Sequence, residues 1–183
     1  RKIQTVCGSY YSASTLSGSE LLIKICMEKF RKSLKSLVIT DGTSHVGGNA
    51  IPLSFAFKKI NAVEMNENIM GMLKNNLGLY KRTNVDFYTG SYLKFVDTLQ
   101  QDIIYLDPPW NGPDYKLKTN LKLYLDDMEI SEVYKKYKSK ALLWVFRIPF
   151  NYDVESFKKV TGANVSIVPF VEHGRLRYNY LIV

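Results

Sequence analysis

Apolar residues along this chain follow two rhythms. Leu21, Leu22, Ile25, Cys26, Phe30 and Leu34 recur at helical intervals behind Ser17-Gly18-Ser19-Glu20, a stretch with capping-box spacing, which predicts an amphipathic helix. Ile69, Met72, Leu73 and Leu77 repeat the rhythm after a capping Asn66, with Gly78 as the expected stop. Between and beyond these lie short apolar runs, Leu37 to Ile39, Ile60 to Val63, Val85 to Tyr88, Ile103 to Leu106 and Ala141 to Phe146, each sized for one buried strand. Strands of this kind alternating with helices predict an open, mostly parallel sheet. Further helices are expected over Asn49 to Phe57, from Asp126-Asp127 through Tyr137, and over Val154 to Val160. Val165 to Val171 and Leu176 to Val183, joined around His173-Gly174, read as a closing antiparallel hairpin. The stretch before Thr15, with Tyr10-Tyr11 and several serines, reads as a loop or arm.

The chemistry gathers where these strands end. Ile103 to Leu106 stops abruptly in Asp107-Pro108-Pro109-Trp110-Asn111-Gly112-Pro113-Asp114-Tyr115. Open α/β sheets place ligands beyond the carboxyl ends of their strands. Successive prolines stiffen the loop and offer carbonyl oxygens without N–H groups. An acid, a rigid carbonyl and a flat aromatic suit a planar ring carrying an NH2 group. Asp107 and the Pro108 carbonyl can accept the amino hydrogens while Trp110 lies on the ring face. The alternative is a plain strand-ending turn with Trp110 in the core.

Upstream, the strand at Leu37 ends in Thr40-Asp41-Gly42-Thr43-Ser44-His45-Val46-Gly47-Gly48-Asn49, a glycine-rich turn before a helix. Such a turn lets backbone approach a ligand, and a helix start offers free N–H groups. It is neither a dinucleotide fingerprint nor a phosphate loop, so neither a nicotinamide cofactor nor ATP is indicated. The next strand ends in Glu64-Met65, and an acid there is where nucleoside cofactors have their ribose hydroxyls held.

Taken in order, Asp41-Gly42, Gly47-Gly48-Asn49, Glu64, Gly90-Ser91-Tyr92-Leu93 and Asp107-Pro108-Pro109-Trp110-x-Gly-Pro-Asp114-Tyr115 resemble the trimethylguanosine synthase family. These are S-adenosylmethionine-dependent guanine-N2 methyltransferases of RNA caps. The resemblance runs from about Leu37 to Tyr115 and more loosely to the C-terminus. It implies an α/β, Rossmann-like class I methyltransferase, with a seven-stranded mostly parallel sheet and helices on both faces. Residues 1–35 would be an arm and helix packing on a catalytic unit of residues 36–183. It implies S-adenosylmethionine as cofactor, S-adenosylhomocysteine as product, and capped RNA or another nucleic acid as partner. The cofactor residues carried over are Asp41, Thr43, Gly47, Gly48, Asn49, Glu64, Met65, Ser91, Tyr92 and Asp107. Asp107, Pro108, Pro109 and Trp110 fall in the catalytic positions, and Trp110, Asn111, Pro113, Asp114, Tyr115 and Arg147 on the substrate side.

Three features depart from the family pattern. Ser91 stands where an aspartate usually accepts the adenine amino group, and a hydroxyl does so without charge assistance. Phe150 stands where the family's Pro-Arg-Asn carries an arginine for substrate phosphate; Arg147 lies three residues earlier. The family's aromatic-rich N-terminal extension finds no match. Two rival functions follow. One is an adenine-N6 or internal guanine-N2 methyltransferase, and the other a catalytically silent cap- or RNA-binding module.

A net charge of +8 over 183 residues suits a polyanionic partner. Lys116, Lys118 and Lys122, in a segment expected to be flexible, fit a phosphate contact and a solvated surface equally well. Cys7 and Cys26 lack disulfide or zinc spacing, which points to a reducing compartment inside the cell, nucleus or cytoplasm, or a cytoplasmic viral factory if the chain is viral. No run reads as a membrane span, and no His, Cys and Asp cluster as a metal site. A chain opening on Arg1 rather than methionine reads as a piece of a longer one.

Overall fold

The computed structural model describes residues 2–6 and 15–183. Tyr10, Tyr11, Cys7 and the rest of the expected arm between them and Thr15 lie outside the described residues. Two compact units divide the chain, Arg1–Asp102 and Ile103–Val183.

The first unit alternates helices with strands: α1 (Leu16–Phe30), β1 (Val38–Asp41), α2 (Ala50–Ala56), β2 (Lys59–Glu64), α3 (Glu67–Leu79) and β3 (Val85–Thr89). β2 pairs with β1 and β3, parallel to both, so the carboxyl ends of all three strands share one edge. Leu22, Ile39, Leu53, Ile60, Leu73 and Leu77 are fully buried, as the two apolar rhythms require. A buried amide ties the strands together, Asn61 Nδ2 donating to Thr40 Oγ1 at 3.0 Å and to the Gln100 carbonyl at 2.9 Å. Thr15, not Ser17, caps α1, its Oγ1 accepting from Gly18 N. The helix therefore starts earlier than the capping-box spacing predicts. Asn66 caps α3 as expected, accepting from Asn68 N and Ile69 N. Gly78 lies inside that helix; the left-handed position past its end is taken by Lys81 at φ 51°.

The second unit holds β4 (Ile103–Leu106), β5 (Tyr124–Leu125), β6 (Met128–Glu129), α4 (Ile130–Tyr137), β7 (Leu143–Ile148), α5 (Val154–Thr161), β8 (Ser166–Glu172) and β9 (Arg175–Ile182). Asp126-Asp127 does not start a helix. It turns a two-residue hairpin between β5 and β6, with Asp126 at φ 51°, a conformation that aspartate tolerates. The helix starts at Ile130 instead, and Glu129 caps it by accepting from Ser131 N. The seven longer strands follow the order β3-β2-β1-β4-β7-β9-β8 of a mostly parallel sheet, in which β9 runs antiparallel to β7 and β8. Trp144, Phe146, Phe157 and Tyr180 fill the core of this unit. No helix among the described residues is long and apolar enough to cross a membrane, and no described cluster of His, Cys, Asp and Glu could hold a metal ion.

Candidate active site

In the first unit the strand ends are linked through Glu64. Its Oε2 accepts from His45 N at 3.0 Å and its Oε1 from Asn66 N at 2.8 Å. One carboxylate, 9% exposed, thus clamps the turn after β1 to the turn after β2. The first turn folds back on Asp41, whose Oδ1 accepts from Thr43 N and whose carbonyl accepts from the Ser44 hydroxyl. Gly47 sits at φ 101°, and a Cβ there would lie 2.9 Å from Leu73 Cδ1, so both conformation and space demand glycine. Asn49 is buried with its Oδ1 accepting from Ser19 Oγ at 2.8 Å, and Asn76 Nδ2 holds the Val46 carbonyl at 2.9 Å. Ser19 and Asn76 support the turn from distant helices, and no local motif marks them. After β3, Ser91 Oγ accepts from Leu93 N and caps a single 3₁₀ turn. Tyr92 points into the core with its hydroxyl on Gln101 Oε1, which leaves only its backbone to offer a ligand. Met65 projects outward, 64% exposed.

The second unit carries the proline loop. β4 and β7 run parallel with Leu106 opposite Phe146, so one step further Asp107 meets Arg147. Arg147 Nη1 donates to Asp107 Oδ2 at 2.8 Å. The guanidinium lies 4.1 Å from the Tyr178 ring centroid and 5.4 Å from that of Trp110. Tyr178 arrives from β9 because Tyr180 is opposite Arg147 in the ladder, which makes Tyr178 the diagonal neighbour. Burial pulls the Arg147 pKa down, but Asp107 and the phenols of Tyr105, Tyr178 and Tyr180 raise it above its ordinary value, and the group stays cationic. Arg147 thus does not sit on the loop itself. It is a strand residue, 6% exposed, beneath the loop.

Pro108 is buried and Pro109 exposed, while Trp110 is half-buried with its edge-to-face partner Tyr115 at 5.0 Å. Asn111 and Gly112 both take positive φ, 63° and 83°, and reverse the chain into a 3₁₀ turn over Pro113–Leu117. Pro113 and Asp114 are exposed there. Lys116 and Lys118 therefore belong to or flank a regular turn. Asn151 Nδ2 pins that turn by donating to the Tyr115 carbonyl at 2.7 Å and the Lys118 carbonyl at 2.6 Å. Phe150 stands beside Tyr115, their centroids 6.4 Å apart, and is 51% exposed. Tyr178 and Asn151 were invisible to motif reading because their contacts come from strand register and chain return.

The model of the RNA cap guanine-N2 methyltransferases matches residues 36–181. The chain belongs to that family. An uncharacterized protein of Acanthamoeba polyphaga mimivirus is 37% identical over 129 residues, which span 68% of this chain and 50% of that one. Trimethylguanosine synthase of Schizosaccharomyces pombe is 27% identical over 118 residues, 61% of this chain and 47% of that one. The chain thus spans about half the length of these curated relatives. Among solved structures, the Thermus thermophilus 16S rRNA N2 G1207 methyltransferase in complex with AdoMet and guanosine is similar with a TM-score of 0.67 at 14% identity, over 90% of this chain and 42% of that one. Magnesium protoporphyrin IX methyltransferase of Synechocystis with bound SAM has a TM-score of 0.60 at 13% identity, over 91% and 77%. These likenesses show the fold, that of the class I methyltransferases, whose methyl donor is S-adenosylmethionine.

The residues at the first unit's strand ends fit that donor. A carboxylate has about four lone-pair sites, so Glu64 retains acceptor capacity for a ribose diol beside its two backbone N–H groups. The Ser91 hydroxyl, which accepts from Leu93 N, is an acceptor type that suits an adenine amino group. The glycine turn is held open from beneath by Ser19 and Asn76, and Asp41 stands at its root.

Proposed function

We propose that this protein transfers a methyl group from S-adenosylmethionine to the exocyclic N2 of guanine, with the 7-methylguanosine cap of RNA as substrate. The observation that carries this reading is the loop after β4, where a fixed carboxylate, a proline carbonyl and a half-buried indole lie within the four residues Asp107 to Trp110. When bound, S-adenosylmethionine supplies an electrophilic methyl on a sulfonium. Glu64, the Asp41–Asn49 turn and Ser91 would hold it. Asp107 and the Pro108 carbonyl would accept the two amino hydrogens, which orients the nitrogen lone pair and favours its pyramidal form. That lone pair is delocalised into the ring, so N2 is a poor nucleophile and orientation supplies most of the acceleration. Arg147 keeps the Asp107 carboxylate in place. The proton that N2 must shed leaves along the hydrogen bond to Asp107 or to solvent. Trp110, braced by Tyr115, would stack on the base, and an N7-methylated, cationic guanine gains about 0.5–2 kcal/mol of cation–π attraction there.

The test is methyl transfer from labelled S-adenosylmethionine to RNA bearing a 7-methylguanosine cap, an unmethylated cap or no cap, with mass readout on the guanine. Transfer restricted to the methylated cap is expected. Equal transfer to uncapped RNA would make this an internal-base enzyme. Binding of S-adenosylhomocysteine without transfer to any RNA would make it a silent module.

A further inference from the structure

Resting on the guanine reading above, we propose that Arg147 sets the charge preference of the base site. By pairing with Asp107 it neutralises the carboxylate that faces the guanine, so discrimination between N7-methylated and ordinary guanine is left to stacking on Trp110.

The pair is built in, not adventitious. Asp107 and Arg147 follow adjacent, parallel strand positions and meet at 2.8 Å. The guanidinium is boxed by Tyr178 on one side and Trp110 on another, which suits a planar, weakly hydrated cation and not an ammonium. In this arrangement the guanidinium is turned to Asp107 and the two rings. The site's carboxylate and its buried cation therefore cancel. A lone carboxylate at that place would attract a cationic 7-methylguanine over neutral guanine, and a lone guanidinium would repel it. Breaking a buried pair from either end leaves an uncompensated charge, whereas replacing both partners with neutral groups is tolerated. The two single substitutions must therefore shift the preference in opposite directions.

The experiment is calorimetric titration of 7-methylguanosine triphosphate and of GTP into wild type, Arg147→Met, Asp107→Asn and the double variant, with a thermal melt of each. The readout is the ratio of the two affinities. At about pH 6, above the ordinary carboxylate range and acidic enough for 7-methylguanine to keep its N1 proton and its positive charge, Arg147→Met should raise the preference for the methylated nucleotide. The size expected is at least about tenfold, since one charge at close range is worth several-fold even in bulk water and more in a partly buried site. Asp107→Asn should lower the ratio by a similar factor, and the double variant should return to the wild-type ratio. Damage to the fold or loop alone would weaken both nucleotides together and leave the ratio where it was. An unchanged or reduced ratio in Arg147→Met overturns the proposal, as does a double variant that keeps a single variant's shift. Should Arg147→Met fail to fold, an Asp107→Asn ratio at or above wild type overturns it equally. Wild-type protein that binds neither nucleotide overturns the guanine reading itself, and this inference with it.

Discussion

Replacing Trp110 and Trp144 by alanine, one at a time, separates a binding platform from a core ring. Trp144 is 1% exposed, stacked on Phe146 and met edge-on by Tyr134. Truncating a fully buried ring of this size costs about 3–5 kcal/mol. Trp110 is half-buried, with Tyr115 against it. Trp110 keeps part of its surface in water, which scales that cost down to about 2–4 kcal/mol. Both indole N–H groups are buried without a hydrogen-bond partner among the described residues, so that contribution cancels between the two variants. Trp144→Ala should therefore be less stable than Trp110→Ala by about 0.5–1.5 kcal/mol, or some 1–6 °C in Tm for a chain of this size. Base binding should reverse the order. Trp110→Ala should lose about 1–3 kcal/mol of affinity for 7-methylguanosine triphosphate through lost stacking, with a smaller loss for GTP because no cation–π attraction goes with it. Trp110→Phe should recover part of the loss. Circular-dichroism melts and calorimetric titrations give both numbers, and binding of S-adenosylhomocysteine should match wild type. A Trp110→Ala protein that melts as early as Trp144→Ala, or that binds the nucleotide as wild type does, would refute the platform argument.

Other expectations test the cofactor clamp and the two buried interiors. Glu64→Gln keeps the size of the side chain but turns one acceptor into a donor facing a backbone N–H, so affinity for S-adenosylhomocysteine should fall by about 1.5–3 kcal/mol; equal affinity by calorimetry would remove Glu64 from the site. Tyr152→Phe strips the 2.8 Å hydrogen bond from Glu129 Oε1, the same carboxylate that caps α4, and the urea midpoint should drop by the equivalent of about 1–3 kcal/mol. Burial pushes the Cys26 thiol up to about 12, so above the ordinary thiol range the unfolded chain loses its proton first. Stability should then fall as pH rises from about 9 toward 12, and Cys26→Ser should flatten that limb of a melt-versus-pH profile. Within the folded protein the Cys26 peptide should resist alkylation at pH values where the denatured chain reacts.

The sequence by itself determined the alternation of helices and strands and the points where the apolar runs end. Periodicity reports burial directly, and the acids Asp41, Glu64 and Asp107 close three of the apolar runs. Local turn chemistry was harder to read. Asp126-Asp127 looks the same before a helix as at the tip of a two-residue hairpin, and only pairing of Tyr124 with Glu129 decides between them. Thr15 outcompetes Ser17 as cap for a similar reason, since two hydroxyls within reach of one helix start carry the same local signal. Tertiary structure alone decided what Arg147 does. From its neighbours it reads as an arginine beside a proline turn, free to meet phosphate. Parallel register with β4 places it against Asp107, and antiparallel register with β9 brings Tyr178 over its face. Those partners lie 40 and 31 positions away in the chain. Nothing in the residues around Arg147 encodes them, because strand register is a property of the assembled sheet.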